Sequence, residues 1–319
     1  PNQWFLNSSG FFSRQQHYYD DNTYYFITAD LGQGKRVESF QSLSNADTII
    51  NTFNDYQIHE KEEVNFIKSG QNWYGDVFDL VDTKSFDFNF PNIVGIANLK
   101  LALAANSPSP FNSDFTINCS GMSSQNISIS GISGSYNKAN LKVFENIISP
   151  SSDNIQLTLN FSSSSPSAKG WIDYIEINTL RDLKMFGSQM SFRSLASVQS
   201  NSISEFQLSN TNSLTRIWDI TQALNPRYIL GQSLASVLSF KIPTDTLRQF
   251  IAFNGGYLSA NLLGKVDNQD LHSLRNIDYL IVSHPIFLEQ ANRLANFHES
   301  QGLNVEVVSP QQIYNEFSS

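Results

Sequence analysis

The chain has 319 residues, a formal net charge of −9, and 40% apolar residues of which aromatics are a large part, which suits two or three domains with real cores. Charged residues make up only 15% and Ser, Asn and Thr fill the polar positions, a surface style common on secreted β-proteins. Net negative charge without a basic block argues against binding nucleic acid through its phosphates, and no run approaches the roughly 18 apolar residues of a membrane helix.

Residues 1–84 read as an N-terminal β-rich region of short strands and turns. Pro1-Asn2-Gln3-Trp4 has neither the positive nor the apolar stretch of a signal peptide. Thr23–Thr28 is rich in β-formers, and Gly32-Gln33-Gly34-Lys35 reads as a hairpin turn; it lacks the spacing and following helix of a phosphate loop. His17 stands in polar surroundings. His59–Glu63 is charged, but no second His stands four residues beyond His59, so a zincin site is absent and a solvated edge is the simpler reading. Asp20-Asp21-Asn22 and the pair Asp82 and Asp87 match no EF-hand spacing.

Residues 85–185 carry the clearest β-pattern. Phe86-Asp87-Phe88-Asn89-Phe90 and Ile155 to Phe161 alternate strictly, and Leu99, Leu101 and Leu103, with Ile127 and Ile129, repeat the period of two that puts apolar side chains on one face. Short alternating strands separated by turn clusters predict an antiparallel β-sandwich or jelly roll. Its closing strand runs through Gly170–Ile177, with Trp171, Ile175 and Ile177 expected on one face; core packing is the expected role of Trp171, ahead of stacking on a sugar. Cys119, the one cysteine, lies in a strand-like run and reads as a buried structural residue.

Residues 186–265 continue as a second β region, with alternation at Phe206 and Leu208 and around Ile217-Trp218-Asp219-Ile220-Thr221. From 266 the pattern changes. Asp278–Ser283 is a continuous apolar run of the kind buried on both faces, Ile286–Glu299 has helical spacing, Gly302 is placed as a C-cap, and Leu303–Val308 is a second strand. This is one βαβ unit, and a second helix should begin near Gln311.

The strand–His-Pro–helix–Gly–strand order, followed by Ser309-Pro310-Gln311-Gln312-Ile313-Tyr314, resembles the opening of the peptidase domain of the gingipain-like cysteine peptidases. Trp73–Asp79, Gly170–Glu176, Ile217–Thr221 and Gly264–His272 extend that resemblance, within the family, to the signal peptidases and sortases of the type IX secretion system. The fold implied is mainly β: antiparallel β-sandwich or jelly-roll domains followed by the first βαβ unit of a caspase-like α/β domain. The chain would then be the non-catalytic N-terminal part of a longer cell-surface enzyme that removes C-terminal signals from secreted proteins and attaches the cargo to lipopolysaccharide.

The partners implied by the resemblance are the outer-membrane barrel protein PorV, the surface protein PorZ, cargo C-terminal signal domains and an anionic lipopolysaccharide acceptor, at the extracellular face of the bacterial outer membrane. The family's catalytic Cys and His have no matching positions, so no catalytic, cofactor-binding or metal-binding residue is assigned. His284 at a strand end reads as a turn residue, His298 as helix packing, and His272 has no identifiable partner. Asp47-Thr48-Ile49 and Asp245-Thr246-Leu247 resemble glycosylation sites of secreted Bacteroidetes proteins. The competing readings are a carbohydrate-binding or adhesive β-sandwich surface protein, and a gingipain-like endopeptidase of broad digestive role.

Overall fold

The computed structural model describes residues 3–15, 22–28, 31–70, 72–134 and 136–317. These fall into two compact units, residues 1–257 and 258–319. Among the described residues no helix is long and apolar enough to cross a membrane.

The first unit holds two β-sandwiches. In the first, the strands Gln125–Ile129, Ser113–Cys119, Asn154–Ser163 and Thr83–Asn89 form an antiparallel sheet in that spatial order. It faces a second antiparallel sheet of Asn140–Ile148, Ile93–Ala105, Gly170–Asp182 and Thr52–Glu60, to which Gly75–Phe78 adds a short pairing. The predicted alternation decides what lies between them. Leu99, Leu101, Leu103, Ile155, Leu157 and Leu159 are all fully buried in one cluster with Phe88 and Phe90. At about 1.5–3 kcal/mol for each such side chain, this core is the main force holding the sheets together. Gly170 is required where the sheets meet closely, because a Cβ there would stand 2.6 Å from the Phe115 ring and 2.7 Å from that of Phe161.

The alternate residues of the first sheet point to solvent. On its central strand these are Asn154, Gln156, Thr158, Asn160 and Ser162. Thr83 Oγ1 bonds Asn160 Oδ1 at 2.7 Å and the hydroxyls of Ser85 and Thr158 meet at 2.8 Å, so this face carries cross-strand polar pairs.

The second sandwich pairs the sheet Gln189–Phe192, Phe250–Asn254, Thr215–Asp219, Arg227–Leu230, Glu38–Gln41 with the sheet Gln232–Leu234, Val237–Pro243, Ile203–Leu208, Thr48–Ile50. Its core is aromatic: Phe206 and Phe240 stack at 5.3 Å, and Phe250 lies 5.1 Å from Phe192. Glu38–Gln41 and Thr48–Ile50 join these sheets in parallel, beside Arg227–Leu230 and Ile203–Leu208. Asp219, almost fully buried, ends its strand by accepting from Thr221 N at 3.0 Å, Thr221 Oγ1 at 2.6 Å and Arg227 Nη2 at 2.7 Å.

Several sequence expectations change here. Residues 1–84 form no region of their own: Thr52–Glu60 and Gly75–Phe78 complete the first sandwich, while Glu38–Gln41 and Thr48–Ile50 complete the second. Edge strands supplied from far away in sequence are invisible to a local reading. Residues 22–28 form no strand and Gly32–Lys35 turns no hairpin; Lys35 Nζ instead donates to Leu224 O at 2.9 Å.

Trp171 is buried, but not on the face of Ile175 and Ile177. A β-bulge between Ile172 and Tyr174 inserts one residue, so Ile172, Ile175 and Ile177 enter the sandwich core while Trp171 turns away from it and packs edge-on against Phe66 at 4.7 Å.

An N-terminal hairpin, Gln3–Leu6 with Phe12–Gln15, lies against the outer side of Gly170–Asp182. Phe12 is buried there beside Tyr56, whose ring also meets Trp4 at a centroid distance of 3.6 Å, and the Arg193 guanidinium lies 4.7 Å above the Tyr56 ring.

In the second unit, Tyr279–Val282 and Val305–Val308 pair in parallel around the helix Leu288–Ser300, and a second helix spans Pro310–Phe317. Ala291 and Ala295 are the buried helical residues, and Gly302, at φ +87°, supplies the left-handed position after the helix end. The first strand is not buried on both faces: Leu280 and Val282 are 55% and 53% exposed. Two strands and one helix cannot cover both sides of a parallel sheet.

Candidate functional site

The chemistry-bearing side chains group in four places. At the carboxyl ends of the parallel strands, where open α/β sheets usually bind ligands, stand Ser283, His284 and Ser309. Ser283 Oγ donates to His284 O at 3.2 Å, and the other two are occupied in capping. His284 Nδ1 accepts from Ile286 N at 3.3 Å ahead of the turn Pro285–Phe287, as a strand-end residue would. Ser309 and Gln312 exchange bonds, Ser309 N donating to Gln312 Oε1 at 2.8 Å and Gln312 N to Ser309 Oγ at 3.2 Å, which is a capping box at the start of the last helix. No nucleophile–base pair is formed at these strand ends among the described residues.

Glu316 organises the entry to the same unit. It accepts from Leu271 N at 2.8 Å, from Gln269 Nε2 at 2.7 Å and from His272, whose Nδ1 lies 2.9 Å away. The backbone bond from Leu271 and then these side-chain bonds hold its carboxyl far below the usual range, at about 2. His272, without a partner in sequence, thus has one in space; its ring also stacks on Phe317 at 4.3 Å. His298 packs against Tyr279 at 4.3 Å, the helix–sheet role expected of it.

The third group is His59, Lys61 and Asp76. His59 Nε2 meets Asp76 Oδ2 at 2.5 Å and Lys61 Nζ meets Asp76 Oδ1 at 2.9 Å. Burial works against the Asp76 charge, but the two hydrogen-bonded partners prevail and its pKa is lowered. Asp76 sits at φ +46°, and a Cβ on neighbouring Gly75 would collide with Lys61, so this grip pins an irregular strand. The stretch expected to be a merely solvated edge therefore clamps a buried carboxylate seventeen positions away from His59.

The fourth group lies beneath the N-terminal hairpin. Arg14 Nη1 pairs with Glu60 Oε2 at 3.1 Å, and Arg14 N donates to Glu176 Oε1 at 3.1 Å. Burial, then the charge and hydrogen bond of Glu60, raise Glu62 to about 7. Burial and Glu60 raise Asp173 to about 6. These carboxyls come from two neighbouring strands and the segment after one of them, and no spacing in the sequence marks them as a set.

Cys119 is buried with its thiol pushed up to about 11 by burial, and its sulfur lies 3.7 Å from the carbonyl oxygen of Ser120 rather than beside a base. That is a structural cysteine, not a nucleophile. The indole N–H of Trp171 is enclosed, without a partner among the described residues, so the ring offers no sugar platform. Asp87 accepts from Asn154 Nδ2 at 3.1 Å on the polar sheet face, Asp47 and Asp245 bond the backbone N–H groups of Ile203 and Asn201, and Thr246 is exposed where Thr48 is half-buried in a strand. His17, Asp20 and Asp21 lie outside the described residues. Among the described residues no group of three or more His, Cys, Asp or Glu is arranged to hold a metal ion.

Comparison with known proteins gives this geometry a setting. Residues 272–319, the βαβ unit and its lead-in, match peptidase family C25. The crystal structure of dimeric latent PorU from Porphyromonas gingivalis superposes on the whole chain with a TM-score of 0.86 at 24% identity. The chain has a PorU-like fold. In sequence, its β-sandwiches precede the segment that matches peptidase family C25. The chain spans 31% of the length of that PorU chain.

Two further solved structures overlap only in part. The Cry4Aa toxin of Bacillus thuringiensis covers 30% of this chain and 17% of its own at 18% identity and a TM-score of 0.25. The carbohydrate-binding module CBM35 from Cellvibrio japonicus Abf62 covers 44% of this chain and 94% of its own at 9% identity and a TM-score of 0.26. No curated protein sequence matches the chain.

Proposed function

We propose that the chain is the non-catalytic β-platform of a cell-surface cysteine peptidase and sortase of the type IX secretion system. The whole enzyme removes C-terminal signal domains from secreted cargo and joins the cargo to an anionic lipopolysaccharide acceptor, or releases it by hydrolysis. It works at the extracellular face of the outer membrane, with the barrel protein PorV and the surface protein PorZ as partners. The observation that carries this reading is the coincidence of a PorU-like fold over the whole chain with the C25 match at residues 272–319.

The chemistry needs a Cys thiolate with a neighbouring His as base. The His and Cys residues described here are held in a cap, in carboxylate pairs, in ring packing or in burial, and none stands beside another as nucleophile and base, which favours a supporting and positioning role for this part of the enzyme. Leu280 and Val282, exposed on a face of the parallel pair, are the surface that a helix of a fuller α/β domain would cover.

The test is made in the native source. Deleting the coding region should leave cargo with its C-terminal signal uncleaved, and restoring the intact gene should restore cleavage. Restoring it with the catalytic Cys of the parent polypeptide replaced by Ala should not. Normal cargo processing in the deletion strain would overturn the proposal.

A further inference from the structure

We propose that Asn254 and Gly255 form a self-modifying joint, in which the Gly255 backbone nitrogen attacks the Asn254 carboxamide and the strand end converts to an isoaspartyl linkage. This is the chain's single Asn-Gly pair. Asn254 is the last residue of the strand Phe250–Asn254, and the first compact unit ends soon after, at Tyr257.

The nucleophile is free and uncrowded. The Gly255 N–H has no hydrogen-bond partner among the described residues. A Cβ on Gly255 would meet only Leu214 Cβ, at 3.7 Å, and one on Gly256 would meet nothing within 4 Å. Two glycines in succession, the first at φ +76°, let the peptide plane between Asn254 and Gly255 turn toward the side chain at little steric cost.

The electrophile is held and polarised. Thr215 Oγ1 donates to Asn254 Oδ1 at 2.8 Å, and Thr215 is only 2% exposed. Negative charge develops on that oxygen as the ring closes, so a fixed donor there stabilises the transition state. Asn254 N is anchored as well, donating to Ser188 O at 2.9 Å, so the motion needed is confined to the side chain and the peptide that follows it.

The reaction balances with water as the one co-reactant. The Gly255 nitrogen gives up its proton and bonds to Asn254 Cγ, the Cγ–Nδ2 bond breaks, and the amide nitrogen takes a proton and leaves as ammonia. Water then opens the cyclic imide. Opening at the main-chain carbonyl of residue 254 leaves Gly255 attached through the side chain, which is the isoaspartyl form; opening at Cγ gives ordinary aspartate. The isoaspartyl form puts an extra methylene in the main chain and a new carboxylate at the strand end.

This inference goes beyond the peptidase reading and does not rest on it, since cargo cleavage and imide formation are separate readouts. The experiment ages the full chain in mildly alkaline buffer, maps its peptides by mass spectrometry with electron-transfer fragmentation, and labels isoaspartate with isoaspartyl methyltransferase. Asn7, Asn106, Asn112, Asn201 and Asn212 all precede serine and serve as internal comparisons. Asn254 should convert about tenfold faster than any of them, because glycine alone leaves the attacking nitrogen unhindered, and isoaspartate should exceed aspartate. Thr215→Val removes the donor and should slow conversion about fivefold in the folded chain, with a melting curve on the same sample showing that the variant is folded. In urea, variant and wild type should convert at one rate. If the variant does not fold, the comparison among wild-type asparagines decides alone. Asn254 intact when the asparagines before serine have begun to convert, aspartate formed without isoaspartate, or equal rates for wild type and folded Thr215→Val would each overturn the proposal.

Discussion

Asn178 holds Phe12 with both halves of its side-chain amide. Oδ1 accepts from Phe12 N at 2.8 Å and Nδ2 donates to Phe12 O at 2.9 Å. The amide acts as a piece of strand: it satisfies a backbone donor and acceptor that the hairpin would otherwise bury unpaired. Both residues are buried, and this contact spans 166 positions of sequence.

Asn178→Asp keeps the shape but removes the donor, leaving the Phe12 carbonyl facing a carboxylate close to Glu176. An orphaned buried polar group costs about 1–3 kcal/mol. The hairpin Gln3–Leu6 with Phe12–Gln15 should therefore loosen. Hydrogen exchange reads this directly: the Phe12 amide should lose protection by about tenfold or more, while amides of the strand Asn154–Ser163 keep theirs. Equal Phe12 protection in wild type and Asn178→Asp would mean that Phe12 packing alone holds the hairpin.

Glu62 and Asp173 make stability depend on pH in an uncommon direction. Each holds its proton more tightly folded than unfolded, with pKa values raised to about 7 and about 6. Their contribution is therefore complete below the ordinary carboxylate range and is lost as pH rises through 6 and 7. Each tenfold gain in proton affinity on folding is worth about 1.4 kcal/mol; discounted for partial exposure, the loss between pH 5 and pH 8 should be about 2–4 kcal/mol. Urea midpoints measured across that range should fall, and Glu62→Gln with Asp173→Asn should flatten the profile. A wild-type midpoint that holds steady or climbs toward pH 8 would contradict the assignment.

Cys119 should resist modification in the folded chain. With burial raising its thiol to about 11, the reactive thiolate at pH 8 is about a hundredfold scarcer than for a free cysteine, before access is considered. Alkylation by iodoacetamide should be slow in buffer and fast in urea, following global unfolding. Labelling at the same rate in both conditions would show a thiol open to solvent.

The features legible in the sequence are those with a local period. Ile155, Leu157, Leu159 and Phe161 had to share a face, because successive side chains of a strand point to opposite sides, and all four are buried. The spacing of Ala291 and Ala295, with Gly302 after them, likewise placed the helix Leu288–Ser300 and its end. The His-Pro turn and the strand pair around that helix were readable for the same reason, and with them the start of the α/β unit.

Trp171 marks where such reading stops. One inserted residue between Ile172 and Tyr174 reverses the face of everything before it, and whether a strand bulges is decided by its partner, here Ile93–Ala105, nearly seventy positions earlier. The same holds for Thr48–Ile50, which becomes the parallel neighbour of Ile203–Leu208, and for His59, Lys61 and Asp76, whose clamp exists only because two strands meet on Gly170–Asp182. The sequence by itself determined which residues must leave water. Which strands became neighbours, and so which carboxyls and amides came within reach of one another, was decided by tertiary pairing, since backbone hydrogen bonds between strands are nearly the same for any sequence and only the packed whole selects among them.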